Sequence, residues 1–196
     1  MKNKISSFAY VSPNAIFGKG NIIMDGVIIR DNVVIGDNNI IFPNAMIGLT
    51  GEVKGETEPN GKVIIGSDNT IRERVSIHSP SRSKETVIGN GCYIMNGSHI
   101  AHDCKLYNDV VLAPYVILGG MVEVGYHTNL GMGVRINPRN KVGKVCMIGS
   151  GAVVTKDVPN FEKWSGVPAS KMGYNIIGMQ RAGINEEQIK KICADL

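Results

Sequence analysis

Four histidines, at 78, 99, 102 and 127, are the side chains of this 196-residue chain best suited to move a proton near neutral pH. His99 and His102 stand three residues apart, and Asp103 follows the second directly. A carboxylate beside an imidazole orients the ring and stabilises its charged form. His102 with Asp103 therefore reads as a general base and its partner. Acyl transfer also needs a donor for the oxyanion of the tetrahedral intermediate, and a bare backbone N–H can supply it. Gly120 lies eighteen residues after His102. In a chain that coils back on itself every eighteen residues, that glycine sits one rung, about 5 Å, from the histidine.

The sequence has such a period. Counting in sixes from Ile5 lands on Val11, Phe17, Ile23, Ile29, Ile35, Ile41, Ile47 and Val53, misses at Pro59, and continues at Ile65, Ile71 and Ile77. A second run goes from Ile88 through Ile94, Ile100, Leu106, Leu112 and Leu118 to Val154. The fifth place of each hexad is usually small or β-branched, as at Ala45, Val75, Val110 and Thr128. A period of six fits neither a helical face nor plain strand alternation. It fits a triangular prism in which each hexad makes one flat side and one corner, three hexads close a coil, and coils stack as parallel strands. The predicted fold is all-β, a parallel β-helix over residues 1–159, followed by a crossing loop and short helical tail over 160–196.

Two stretches break the count, residues 53–65 and 77–88. Both read as loops thrown out from prism corners, either places where binding groups collect or tolerated surface insertions. Residues 157–171, rich in Pro and Gly, read as irregular crossing chain. NIIGMQRA predicts a short helix ended by Gly183. Asn185 predicts the cap of a second, with Gln188 at the capping-box place and Ile189 and Ile192 on one face.

Composition excludes several classes. The net charge of +4 comes from scattered basic residues, which argues against nucleic acid and fits a small anionic ligand. No stretch approaches ~20 consecutive apolar residues, so no membrane span is expected. The N-terminal lysines precede no apolar run, so no signal peptide is expected. The four cysteines form no CxxC, which predicts free thiols and a cytoplasmic location. Cys92, Cys104 and Cys146 fall at fifth places and read as small core residues. The asparagines read as turn formers.

The run NGSHIAHDCKLYNDVVLAPYVILGG, residues 96–120, resembles the signature region of the bacterial acyl-carrier-protein:UDP-N-acetylglucosamine O-acyltransferase family. IGSDNTIRERVSIH at 65–78, DVPNF at 157–161 and GYNIIGMQRAG at 173–183 are similar to the same family. The resemblance implies a left-handed β-helix and a homotrimer with sites at its seams. It implies no permanent cofactor, and an acyl carrier protein or coenzyme A thioester as co-substrate. His102 falls on the family's catalytic base and Gly120 on its oxyanion glycine. His99 and His78 fall at substrate positions near the nucleotide sugar, and Lys54 falls near its phosphates. Asn175 and Arg181 match contacts to the nucleotide, and Met121 and Ser150 fall along the acyl channel. Met121 stands where the family has a histidine, Pro138 replaces a glutamine, Ile177 a glutamate, Ala182 an arginine and Ser150 a glycine.

VVTKDVP and SGVPASK also resemble the last coil of hexapeptide acetyltransferases that use coenzyme A. Short-chain N-acetylation of a nucleotide amino sugar is therefore a second expectation. A zinc hydro-lyase of the γ-carbonic-anhydrase type shares the prism. It needs a wider pair of histidines that this sequence does not have, so no metal is expected. A non-catalytic β-helix scaffold is the remaining alternative.

Overall fold

A computed structural model describes residues 2–58 and 60–194. The hexads close into a three-sided prism, each side a parallel sheet of very short strands. Away from the two breaks, strands of the prism pair at a spacing of three hexads, as where Lys105 pairs with Glu123 and Glu123 with Lys141. The first face carries Ile23, Ile41, Ile71 and Ile94 inward, the second Ile29, Ile47, Ile77 and Ile100, the third Ile35, Ile65, Ile88 and Leu106. All twelve side chains are 2% exposed or less. Burying each contributes roughly 1.5–3 kcal/mol, so these three columns dominate stability.

The corners explain the fourth place of the hexad. Asn38, Asp68 and Asp103 there have φ of 57°, 61° and 63°, a left-handed conformation that Asn and Asp tolerate. Other asparagines turn inward instead. Asn39 Oδ1 accepts from the backbone and side-chain amides of buried Asn69, and Asn21 does the same for Asn39. These residues form a ladder inside the prism, a role beyond the turn formers expected, because the fifth hexad place faces the core.

The two breaks are insertions at one corner. Ile35 pairs with Ile65, thirty residues on instead of eighteen, and Ile65 pairs with Ile88, twenty-three on. The first insertion therefore adds two whole hexads, which keeps the count in phase. That is why Val53 reads as inward although it lies half-buried in a loop after Met46–Leu49. Pro59, the miss in the count, lies outside the described residues.

The crossing chain is regular where irregular chain was expected. Glu162–Gly166 extends the first face by pairing with Met147–Ile148, then reverses into the antiparallel Ala169–Tyr174. Trp164 takes the inward place after Ile148 and is 6% exposed, so one large ring closes the end of the core. Helix α1 (Ile176–Arg181) is capped by Asn175. Helix α2 (Glu186–Ala194) has the expected box, Asn185 and Gln188 each accepting the other's backbone N–H. Met179 and Ile189 pack both helices on Val145 at a corner. Among the described residues no helix is long and apolar enough to cross a membrane.

Candidate active site

Four consecutive coils bring their chemistry to one corner, between the second and third faces. The long insertion, the short insertion, His102–Asp103 and Gly119–Gly120 stack there in order. The rung between the last two is direct, because Met121 N–H donates to the His102 carbonyl at 2.9 Å.

His102 lies over Gly120. A Cβ built on that glycine would stand 2.5 Å from both Nε2 and Cε1 of the ring, so only glycine leaves room for the imidazole. The Gly120 N–H has no acceptor among the described residues, whereas its carbonyl accepts from Arg139. On its other side His102 Nδ1 meets Asp103 Oδ2 at 2.6 Å. A carboxylate at Nδ1 holds the proton there and leaves the Nε2 lone pair toward Gly120. The His102 side chain is 17% exposed, enough to meet a substrate.

The short insertion exists around Asp103. The backbone N–H groups of Ser81, Arg82 and Ser83 and the Ser83 hydroxyl all donate to its carboxylate, and Thr86 Oγ1 accepts its N–H. Burial opposes the charge on Asp103, but the bonds from Ser83, His102 and Ser81 outweigh it and hold the pKa at about 2. The carboxylate is thus ionised whenever the imidazole can act as a base. A depressed carboxylate stabilises the fold above its unfolded value of 3.8 and loses that contribution as pH falls toward 2. Asp103→Ala is expected to melt below wild type at neutral pH. The gap in Tm should narrow between about pH 4 and pH 2, which thermal unfolding across acid pH checks.

His78 and His99 lie one step along the second face, with ring centroids 4.8 Å apart and nearly perpendicular. Ser76 Oγ holds His99 Nδ1 at 2.8 Å. Burial pushes both imidazoles below their ordinary pKa, and their mutual repulsion adds to this at His78. Both are therefore neutral at pH 7. Glu52 of the long insertion reaches the same pair. The insertions are joined where Ser81 Oγ donates to Glu56 at 2.6 Å.

Of the remaining candidates, Lys54 and Met121 belong to the insertion and rung at this corner, and the others lie away from it. Lys54 is exposed on the long insertion. Arg181 lines a groove between α1 and the first face, together with Asn175, Ile177, His127 and Asp109. The Asn175 side chain is committed to its own helix, accepting from Gly178 N–H and donating to the Val145 carbonyl. Met121 lines a hollow on the third face with Val87 and Lys105. Ser150 stacks on Gly131 at the corner between the first and second faces. One protomer thus gathers His102, Asp103, Gly120, His99 and His78, and leaves Asn175, Arg181 and Ser150 apart from them. The buried thiols are not part of the site. Desolvation raises Cys92 and Cys146 to about 11 and Cys104 to about 12, and their sulfurs donate to backbone carbonyls.

Sequence reasoning missed Ser76, Thr86 and the Ser81–Ser83 amides. Their signal is present but displaced. Ser76 stacks under His99 once five residues are removed from the count, and nothing in the sequence says where the five begin.

Residues 85–120 match the model of the bacterial transferase hexapeptide family, six repeats. The acyl-[acyl-carrier-protein]–UDP-N-acetylglucosamine O-acyltransferase of Thermodesulfovibrio yellowstonii is 38% identical over 188 residues, which is 94% of this chain and 72% of that one. The chain belongs to this O-acyltransferase family. The family's member from Sinorhizobium fredii is 33% identical over 77% of the chain, and the chain spans 57% of that relative's length. A UDP-N-acetylglucosamine acyltransferase structure from Campylobacter jejuni superposes with a TM-score of 0.92 at 31% identity, covering 98% of this chain and 77% of that one. The prism is accordingly the left-handed parallel β-helix of the O-acyltransferase family.

Proposed function

We propose that the chain transfers an acyl group from an acyl-carrier-protein thioester to a hydroxyl of UDP-N-acetylglucosamine. The observation that carries this reading is the His102 ring, held by Asp103 and laid over the Gly120 backbone. His102 Nε2 takes the proton of the sugar hydroxyl as its oxygen attacks the thioester carbonyl. The Gly120 N–H donates to the oxyanion that forms. Collapse of the tetrahedral intermediate breaks the C–S bond, and the imidazolium returns the proton to the departing thiolate. No permanent cofactor takes part in these steps. Incubating the purified protein with UDP-N-acetylglucosamine or a nucleotide amino sugar, and with either acyl-carrier-protein or acetyl-CoA thioesters, tests it. O-acylated sugar nucleotide from the carrier-protein donor is expected. Amide formation from acetyl-CoA on an amino sugar, with no ester, would overturn the reading in favour of N-transfer.

Neutral His99 and His78, with Lys54, take the sugar and its phosphates in this reading. Asn175 and Arg181 take the nucleotide, and Met121 and Ser150 border the acyl chain. These groups do not meet within one protomer, so we place the site at the seams of a homotrimer. Sedimentation should give three times 21.1 kDa. Subunit mixing tests the seam directly. His102→Ala and Arg181→Ala are each expected to be poor enzymes alone. Trimers mixed from both should regain activity, because some seams then hold an intact His102 facing an intact Arg181. Mixed trimers no better than the average of the parents would sink the shared site. The free buried cysteines support a cytoplasmic location, where no oxidant would pair them.

A further inference from the structure

We propose that Glu52, His78 and His99 form a binding site for a divalent transition metal of the Zn2+ type. One ligand atom from each of the three side chains lies within 4.8 Å of the others. His99 presents Nε2, since its Nδ1 is held by the Ser76 hydroxyl. A fixed partner on the second nitrogen is what orients a metal-binding imidazole and sets its tautomer. His78 is 7% exposed, and its buried Nδ1 has no hydrogen-bond partner among the described residues. Buried ring nitrogens are rarely left without one, and a cation is a partner that would satisfy it.

The chemistry of the set fits. Two imidazoles and a carboxylate suit zinc and leave a fourth position open. With Zn–N near 2.0–2.1 Å, ligand atoms on a tetrahedral ion stand about 3.3 Å apart. Glu52 is exposed on a loop, so its side chain can close the remaining gap. The proton transfer proposed above uses His102 and needs no metal. A metal at His78 and His99 instead competes with the sugar, a consequence that rests on the proposed function, whereas the metal site does not.

The test strips the purified protein with a chelator and titrates it with Co2+ alone, read by visible d–d absorption, then displaces it with Zn2+. One equivalent per chain is expected. Ser76→Ala should weaken binding by about 10–100-fold, and His78→Ala and His99→Ala by more than that. His102→Ala should bind as wild type does, which separates this site from the catalytic corner, and circular dichroism verifies that each variant is folded. A wild-type protein that takes up no Co2+, or folded His78→Ala and His99→Ala proteins that bind it unchanged, would overturn the proposal. A protein that binds Co2+ through these residues, yet transfers no acyl group either stripped or metal-loaded, would refute the proposed function and uphold the metal site.

Discussion

His102→Ala is expected to lower acyl transfer by roughly 10²–10⁴-fold, the range general base catalysis supplies. At 1.36 kcal/mol per decade this is about 3–5 kcal/mol of barrier. The fold should tolerate the change. His102 stands at a corner outside the three inward columns, and its side chain is partly exposed. Asp103, whose carboxylate it touches, keeps its bonds from Ser81, Arg82 and Ser83. Steady-state rates with an acyl-carrier-protein thioester should therefore fall while Tm stays close to wild type. A His102→Ala protein as active as wild type would remove the base from the mechanism. One that is inactive but unfolded would say nothing of catalysis, which is why the two measurements belong together.

The prism was legible because its physics is one-dimensional. A residue at the first place of a hexad packs on residues eighteen before and after it, so the same apolar choice recurs and the period survives in the sequence. The pairing of His102 with Gly120 was legible for the same reason, since no insertion separates their coils. What lay below them was hidden. The short insertion moves Ser76 out of step with His99 and supplies the amides around Asp103, whose positions depend on loop geometry that no period encodes. The long insertion deceived more quietly. Its two-hexad length preserved the phase and made Val53 look like core. The hairpin Glu162–Gly166 and Ala169–Tyr174 escaped because Pro and Gly mark its turn as plainly as they would mark irregular chain. Asn175 and Arg181 carry no periodic signal at all, and only likeness to a family singled them out.

Gly120→Ala is the companion to the loss of His102, because it leaves the base in the protein and takes away its place. The added methyl would arrive 2.5 Å from Nε2 and Cε1 of the imidazole, far inside van der Waals contact. The atoms in its way are the end of a side chain, so the ring swings aside and the backbone stays. The swing breaks the alignment of Nε2 with the Gly120 N–H, and it strains the 2.6 Å contact to Asp103. Misplacing a catalytic group by about 1 Å can cost on the order of 10²-fold. Gly120→Ala should therefore lose about that much activity with little change in Tm. Its neighbour supplies the contrast. A Cβ at Gly119 would meet the Pro138 backbone nitrogen at 2.7 Å and its ring at 2.8 Å, with no flexible atom to yield. Gly119→Ala should accordingly lower Tm, whereas Gly120→Ala should lower the rate. If Gly120→Ala keeps the wild-type rate, the space beneath the imidazole is not where the thioester carbonyl sits, and the oxyanion donor must be sought on another rung.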